Sequence, residues 1–237
     1  MLRTLIKKDV RLLRHFLVTS LVVTLCCYVA ATVVVIRSPF EFTATADAST
    51  WSYLILSFGG NLGFLSAAFC AAILAGSVFT LERADRSVEF LACLPPRRFS
   101  HLISKLTVVL TATFSMLGLH AAALIASNML IPYVQATSVS IADSVSLPTL
   151  FLLVAAIVTV IGGAIAISAW QKSNGVSILC GLLTPIILIK FIQSIEHLLA
   201  IPAASDGHSM RFAWTLLVVG FFLIFCGGYW YVERSEP

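Results

Sequence analysis

Tyr53–Leu81 reads YLILSFGGNLGFLSAAFCAAILAGSVFTL, with no charged residue, and Glu82–Arg98 continues it as ERADRSVEFLACLPPRR. The first stretch can cross hydrocarbon; the second belongs in water. A helix needs about 20 apolar residues to cross about 30 Å of bilayer core. A charge at the bilayer centre costs about 2.5–3.5 kcal/mol on insertion scales. The step from Leu81 to Glu82 therefore marks a membrane surface.

Five more uncharged runs flank this one: Phe16–Ile36, Leu106–Ile131, Leu147–Trp170, Gly175–Ile189 (extending toward Ser194) and Phe212–Val232. All exceed the about 9–11 residues of a barrel strand. Of 237 residues, 59% are hydrophobic and 11% charged, where a soluble domain carries about 25% charged residues. The fold class is all-α: a polytopic membrane protein with six transmembrane helices. Glu82–Lys105, the longest segment between spans, falls below the about 40 residues needed to fold alone. Residues 1–237 thus read as one membrane domain. The run Phe16–Ile36 is longer than the about 7–15-residue core of a secretory signal, so it reads as a permanent span.

Six spans place both termini on one side. That side holds Arg3, Lys7, Lys8, Arg11, Arg14, Arg83, Arg86, Arg97, Arg98, Lys105, Lys172 and Arg234, twelve of the 15 Lys and Arg. Arg37, Lys190 and Arg211 fall on the other. The positive-inside rule then sets both termini in the cytoplasm, the chain being a multi-pass membrane protein. The net charge of +4 follows from topology and lipid headgroups and does not point to nucleic acid. Of the six cysteines, five lie in spans and Cys93 is cytoplasmic. No spacing suits zinc, and buried cysteine acting as a small hydrophobe is the expected role.

Residues 1–15 read as an amphipathic surface helix. Arg3, Lys7, Arg11 and Arg14 share one face, toward anionic lipid or a partner. Leu2, Leu5, Ile6, Leu13 and Phe16 share the other. In the second span Gly59, Gly63, Ala67, Ala71 and Ala75 recur every four residues, a spacing that lets helices approach closely in lipid. Gly162 and Ala166 repeat it in the fourth. Internal packing is the expected use of both stripes. Gly59-Gly60-Asn61 is expected to loosen its helix locally.

Between spans two and three, Glu82–Arg86 is an i,i+4 pair and Arg86–Glu89 an i,i+3 pair. Val88, Leu91 and Leu94 lie on another face, and Pro95-Pro96 ends the helix. The spacing predicts a short polar helix at the membrane surface within 82–98. Lys105 is expected to snorkel from the start of the third span.

This segment resembles the cytoplasmic region of type-2 ABC (ATP-binding cassette) transporter permeases. Those proteins show Glu-Arg leaving the second span, a Glu-Leu-Leu-like stretch, Leu-Pro, basic residues, and a Lys before the third span. Glu82-Arg83, Glu89-Phe90-Leu91, Leu94-Pro95, Arg97-Arg98 and Lys105 occupy those places. Lys7-Lys8-Asp9 in a basic amphipathic start is similar to the family's leading helix, and the six-span layout matches over the whole chain. Phe90 stands where an aliphatic residue is commoner, a second proline follows Pro95, and the loop between spans five and six is short for the re-entrant helices often found there.

The resemblance implies a permease subunit, of exporter type, that pairs with a second copy or a similar subunit. Separate ABC ATPase subunits would grip the coupling helix through Glu82, Arg83, Arg86, Glu89, Leu91, Leu94 and Pro95. No G-x-x-x-x-G-K-[ST] phosphate loop occurs in the chain, so ATP would be hydrolysed by the partner and no cofactor bound directly. A haem-exporter-type permease belongs to the same wider class.

His120, mid-way through the third span, Asn128 two turns on, and Asn61 are the candidates for a substrate path. Trp51, Tyr53, Trp170, Trp214, Tyr229, Trp230 and Tyr231 suit an interfacial aromatic belt. A membrane-embedded enzyme would need clustered acids, nucleophiles or metal ligands at one depth; the sequence has no G-x-S-x-G or H-E-x-x-H. A motor-independent carrier would show repeated halves and charges within spans. Neither pattern is evident.

Overall fold

The computed structural model describes residues 2–37, 48–84, 98–130, 147–171, 173–198 and 207–234. Among them all regular secondary structure is helix: α1 Leu2–Leu12, α2 Arg14–Arg37, α3 Ala48–Ala84, α4 Arg98–Leu130, α5 Leu147–Trp170, α6 Asn174–Leu198 and α7 Gly207–Arg234. Helices α2 to α7 are the six apolar runs, each long enough to span a bilayer. The chain is a polytopic all-α membrane protein.

Two boundaries differ from the charge-based reading. Helix α4 starts at Arg98, not at Leu106, so Lys105 lies inside a continuous helix. Helix α3 carries the backbone of Glu82 and Arg83 in its last turn. The expected coupling helix is thereby confined to residues between Ala84 and Arg98, which lie outside the described residues.

Helix α1 keeps its helical hydrogen bonds into α2. The Leu13 N–H donates to Asp9 O and the Leu17 N–H to Leu13 O, both at 2.9 Å. Its apolar stripe faces the protein: Leu5 and Leu13 are buried, and Ile6 packs on the core. Helix α1 rests on α4 more than on α2.

Helix α3 is the hub. It packs on α2, α4, α5 and α6, and 67% of its spanning window is buried, against 22% for α2 and 17% for α6. The four-residue stripe explains this. Gly59, Gly63, Ala67, Ala71 and Ala75 are all buried, so the stripe serves internal packing, as expected. A Cβ on Gly59 would sit 2.5 Å from the Tyr28 ring, and one on Gly60 2.6 Å from Leu124. These glycines admit neighbours; they do not loosen α3, which runs unbroken through Asn61.

Helices α5 and α7 form the most extensive pair. A Cβ on Gly162 would meet the Gly220 carbonyl oxygen at 2.4 Å, and one on Gly227 would meet Ala166 Cα at 2.8 Å. Thr159 Oγ1 lies 2.8 Å from Leu216 O across the same seam. In lipid, where hydrophobic burial does not drive helices together, this close backbone approach supplies the packing.

Two further expectations are corrected. Among the five described cysteines, all free, only Cys70 is buried and Cys26 is exposed. Within the aromatic set, Tyr53 is buried and Tyr231 packs on Phe79 with ring centroids 4.3 Å apart, so neither faces the interface freely.

Candidate functional site

The polar chemistry of this bundle gathers around one short piece of α3, Ala75–Phe79. Lys105 of α4 donates from Nζ to the Val78 carbonyl at 3.0 Å. The same ammonium stands 4.0 Å from Asp9 Oδ1 of α1 and 5.6 Å from the centroid of Phe79. Ser104 Oγ donates to Asp9 Oδ2. Tyr231 of α7 packs on the other partner of Lys105, the Phe79 ring.

Lys105 is 1% exposed and Asp9 5%. An ammonium or carboxylate taken out of water alone would be costly, by several kcal/mol. Here the two formal charges cancel, and the remaining capacity is met by a serine hydroxyl, a main-chain carbonyl and an aromatic face. This corrects the expectation that Lys105 snorkels to water: it points into the bundle and joins α1, α3 and α4.

Ser77 and Asn174 extend the node. Ser77 Oγ lies 3.1 Å from Asn174 Nδ2 and 3.3 Å from Asn174 Oδ1, which ties α3 to the first residue of α6. Ser168 Oγ of α5 lies 3.4 Å from Ala75 O. Five neighbouring positions of one helix thus hold side chains from α4, α5, α6 and α7, and reach α1 through Lys105. The node lies within about two to three turns of Ala84 on α3, and Lys105 about two turns into α4. The helices on either side of the charged segment are pinned to each other just before they enter it.

The residues expected to contact an ATPase do not figure in this geometry. The side chains of Glu82 and Arg83, and Arg86, Glu89, Leu91, Leu94 and Pro95 entirely, lie outside the described residues. Arg3, Lys7, Arg11 and Arg14 are all exposed, forming the expected basic ridge.

The expected substrate path is not assembled. His120 is fully buried, with its Nδ1 3.0 Å from the Tyr28 hydroxyl. Asn61 is exposed on α3 and donates to Ser57 O at 3.0 Å. The Asn128 side chain lies outside the described residues. His120 and Asn61 therefore do not line a common opening. Lys190 at the far end of α6 is exposed and donates to Gln193 Oε1 at 3.3 Å.

Sequence reasoning named Asp9 only within Lys7-Lys8-Asp9 and missed both Ser104 and the pairing of Asp9 with Ser104 and Lys105. Asp9 did leave a signal: it is the sole acid in 1–37, and it stands four residues from both Leu5 and Leu13 on the apolar stripe. An acid on the buried side of a helix implies a buried partner. Among the described residues no group of three or more His, Cys, Asp or Glu could hold a metal ion. The node is built to hold helices in register. Comparison with family models, with curated proteins and with solved structures finds no match to this chain.

Proposed function

We propose that this chain is the membrane-spanning permease subunit of a bacterial ABC exporter of the type-2 class. Two copies, or one copy and a similar subunit, form the path, and separate ATPase subunits on the cytoplasmic side supply the energy. The observation that carries the reading is the pattern Glu82-Arg83, Glu89-Phe90-Leu91, Leu94-Pro95, Arg97-Arg98 in its place between the second and third spans.

The packing agrees with that use. A motor that moves a surface segment needs a stiff connection from that segment into the bundle. The helices entering and leaving 85–97 are joined by Lys105 and Val78 O, and the same node reaches α1, α5, α6 and α7. A displacement at the segment is therefore shared by most of the domain. Helices α2 and α6, the least buried spans, leave apolar faces for lipid or for a second copy.

The test is purification in mild detergent together with an ABC ATPase encoded beside it, followed by reconstitution. The Arg86→Glu variant should keep assembly-independent ATPase activity and lose ATP-dependent transport. Transport by this chain without any ATPase, or unchanged transport in Arg86→Glu, overturns the reading.

A further inference from the structure

Tyr28 and His120 bridge two helices that otherwise share little packing, since α2 and α4 both lean on α3. The Tyr28 hydroxyl is 3.0 Å from His120 Nδ1. The two rings are stacked, with centroids 5.7 Å apart and an interplanar angle of 18°. The imidazole occupies the notch over Gly63, where a Cβ would lie 2.0 Å from Nδ1. Phe64 stands on another side, 6.3 Å away between ring centroids. His120 is 0% exposed, and its Nε2 is buried with no hydrogen-bond partner among the described residues.

Counting protons fixes the character of that orphan atom. A neutral imidazole has one N–H and one bare nitrogen, and a tyrosine hydroxyl has one proton to place. If Tyr28 donates to Nδ1, the imidazole proton is on Nε2 and one donor is left over. If Nδ1–H donates to Tyr28 instead, the tyrosine proton and the Nε2 lone pair both lack partners. At membrane depth no water repairs the loss, so the arrangement with one orphan is favoured. The spare group is then an Nε2–H donor.

We propose that the Nε2–H of His120 is a seat for an acceptor oxygen of a membrane amphiphile, an ester carbonyl, carboxylate or phosphate, and that Tyr28 is its latch. Helix α2 carries Tyr28, which lies against one face and Nδ1 of the imidazole, and is among the least buried spans. Its outer face, with Val18, Leu21, Val22, Leu25 and Val29, is exposed and apolar, a surface suited to acyl chains. A ligand that arrives there carries an apolar tail, and the polar atom it can offer to an N–H is an oxygen. When α2 moves outward, the Tyr28 hydroxyl leaves Nδ1 and the imidazole becomes reachable from the side. The inference stands on the α2–α3–α4 geometry and does not depend on an ATPase, so the two readings can fail separately.

The first measurement is the tautomer. Protein with ¹⁵N-labelled histidine in phosphatidylcholine vesicles should show one imidazole with a protonated Nε2 and a bare Nδ1 that disappears in His120→Gln. A protonated Nδ1 at this residue overturns the assignment. The second is photolabelling with a photoactivatable fatty acid in ester-linked and in ether-linked phosphatidylcholine vesicles. Label should concentrate on peptides containing Tyr28 and His120. His120→Phe should lower it about fivefold, the worth of one net hydrogen bond, while His120→Gln, which retains a donor, keeps most of it. Tyr28→Phe should raise it by freeing the latch. Equal labelling in the two lipids assigns the seat to the added fatty acid. Stronger labelling in the ether-linked lipid assigns it to the ester carbonyl of resident lipid. Label spread evenly along α2, or unchanged in His120→Phe, overturns the proposal.

Discussion

A single carboxylate, Asp9, decides how the amino-terminal helix is used. Without it α1 would be a basic helix free to lie in the headgroups; with it the helix is fastened to Ser104 and Lys105. Removing one member of a buried pair leaves the other charge uncompensated, at about 3–5 kcal/mol, whereas removing both is close to neutral. Asp9→Leu and Lys105→Met should therefore each lower thermal stability strongly in detergent. The double variant should recover most of the loss, the signature of direct coupling in a double-mutant cycle. Single variants within about 0.5 kcal/mol of the parent would mean that the pair is solvated. The sequence showed Asp9 as an acid on an apolar stripe. Its partner was not legible, because the pairing closes over 95 residues and neither helix pattern encodes which face of α4 meets α1. His120 shows the same limit. Its depth in the third span was readable, but its contact with Tyr28 lies 92 residues away.

At the scale of elements, glycine spacing controls which helices touch. Gly162 and Gly227 sit against the backbone of the facing helix, with no flexible side chain to yield. Gly162→Ala and Gly227→Ala should each cost about 1–3 kcal/mol by overpacking, measured as a fall in the melting temperature of the purified protein. Gly118 makes a useful control, since a Cβ there meets nothing within 4 Å. Gly118→Ala should be neutral or stabilising by up to about 1 kcal/mol, because alanine is the better helix former. Equal losses at all three sites would argue against the α5–α7 seam. The four-residue stripes of α3 and α5 were visible in the sequence because small residues at that period form a ridge. Gly220 and Gly227 on α7 are seven apart and escaped a four-residue search, although seven residues also return to one helix face. The start of α4 was misplaced for a related reason. The charge of Lys105 looked like a boundary, yet a neutralised lysine can continue a helix into the bundle.

For the molecule as a whole, the six spans follow from uncharged length alone, and the distribution of Lys and Arg supplies a direction. In a cysteine-free background, single cysteines replacing Arg3 and Arg234 should react with a membrane-impermeant thiol reagent only when the cytoplasmic face is open. Cysteines replacing Arg37 and Arg211 should react from outside in intact cells. A split between the two termini would remove one span and with it the six-helix layout. The charged stretch Glu82–Arg98 was the most informative part of the sequence, and the helices on either side of it are joined by Lys105 and Val78 O.

The length of α3 has its own consequence. Its 37 residues extend over about 55 Å at 1.5 Å per residue, well beyond the about 30 Å of a hydrocarbon core. A rod that long sits obliquely or stands proud of the bilayer, and either choice sets lipid thickness against the rod's slant. Because α2, α4, α5 and α6 all pack on this rod and α7 packs on α5, thickness mismatch becomes a force on the entire bundle, felt with no ligand present.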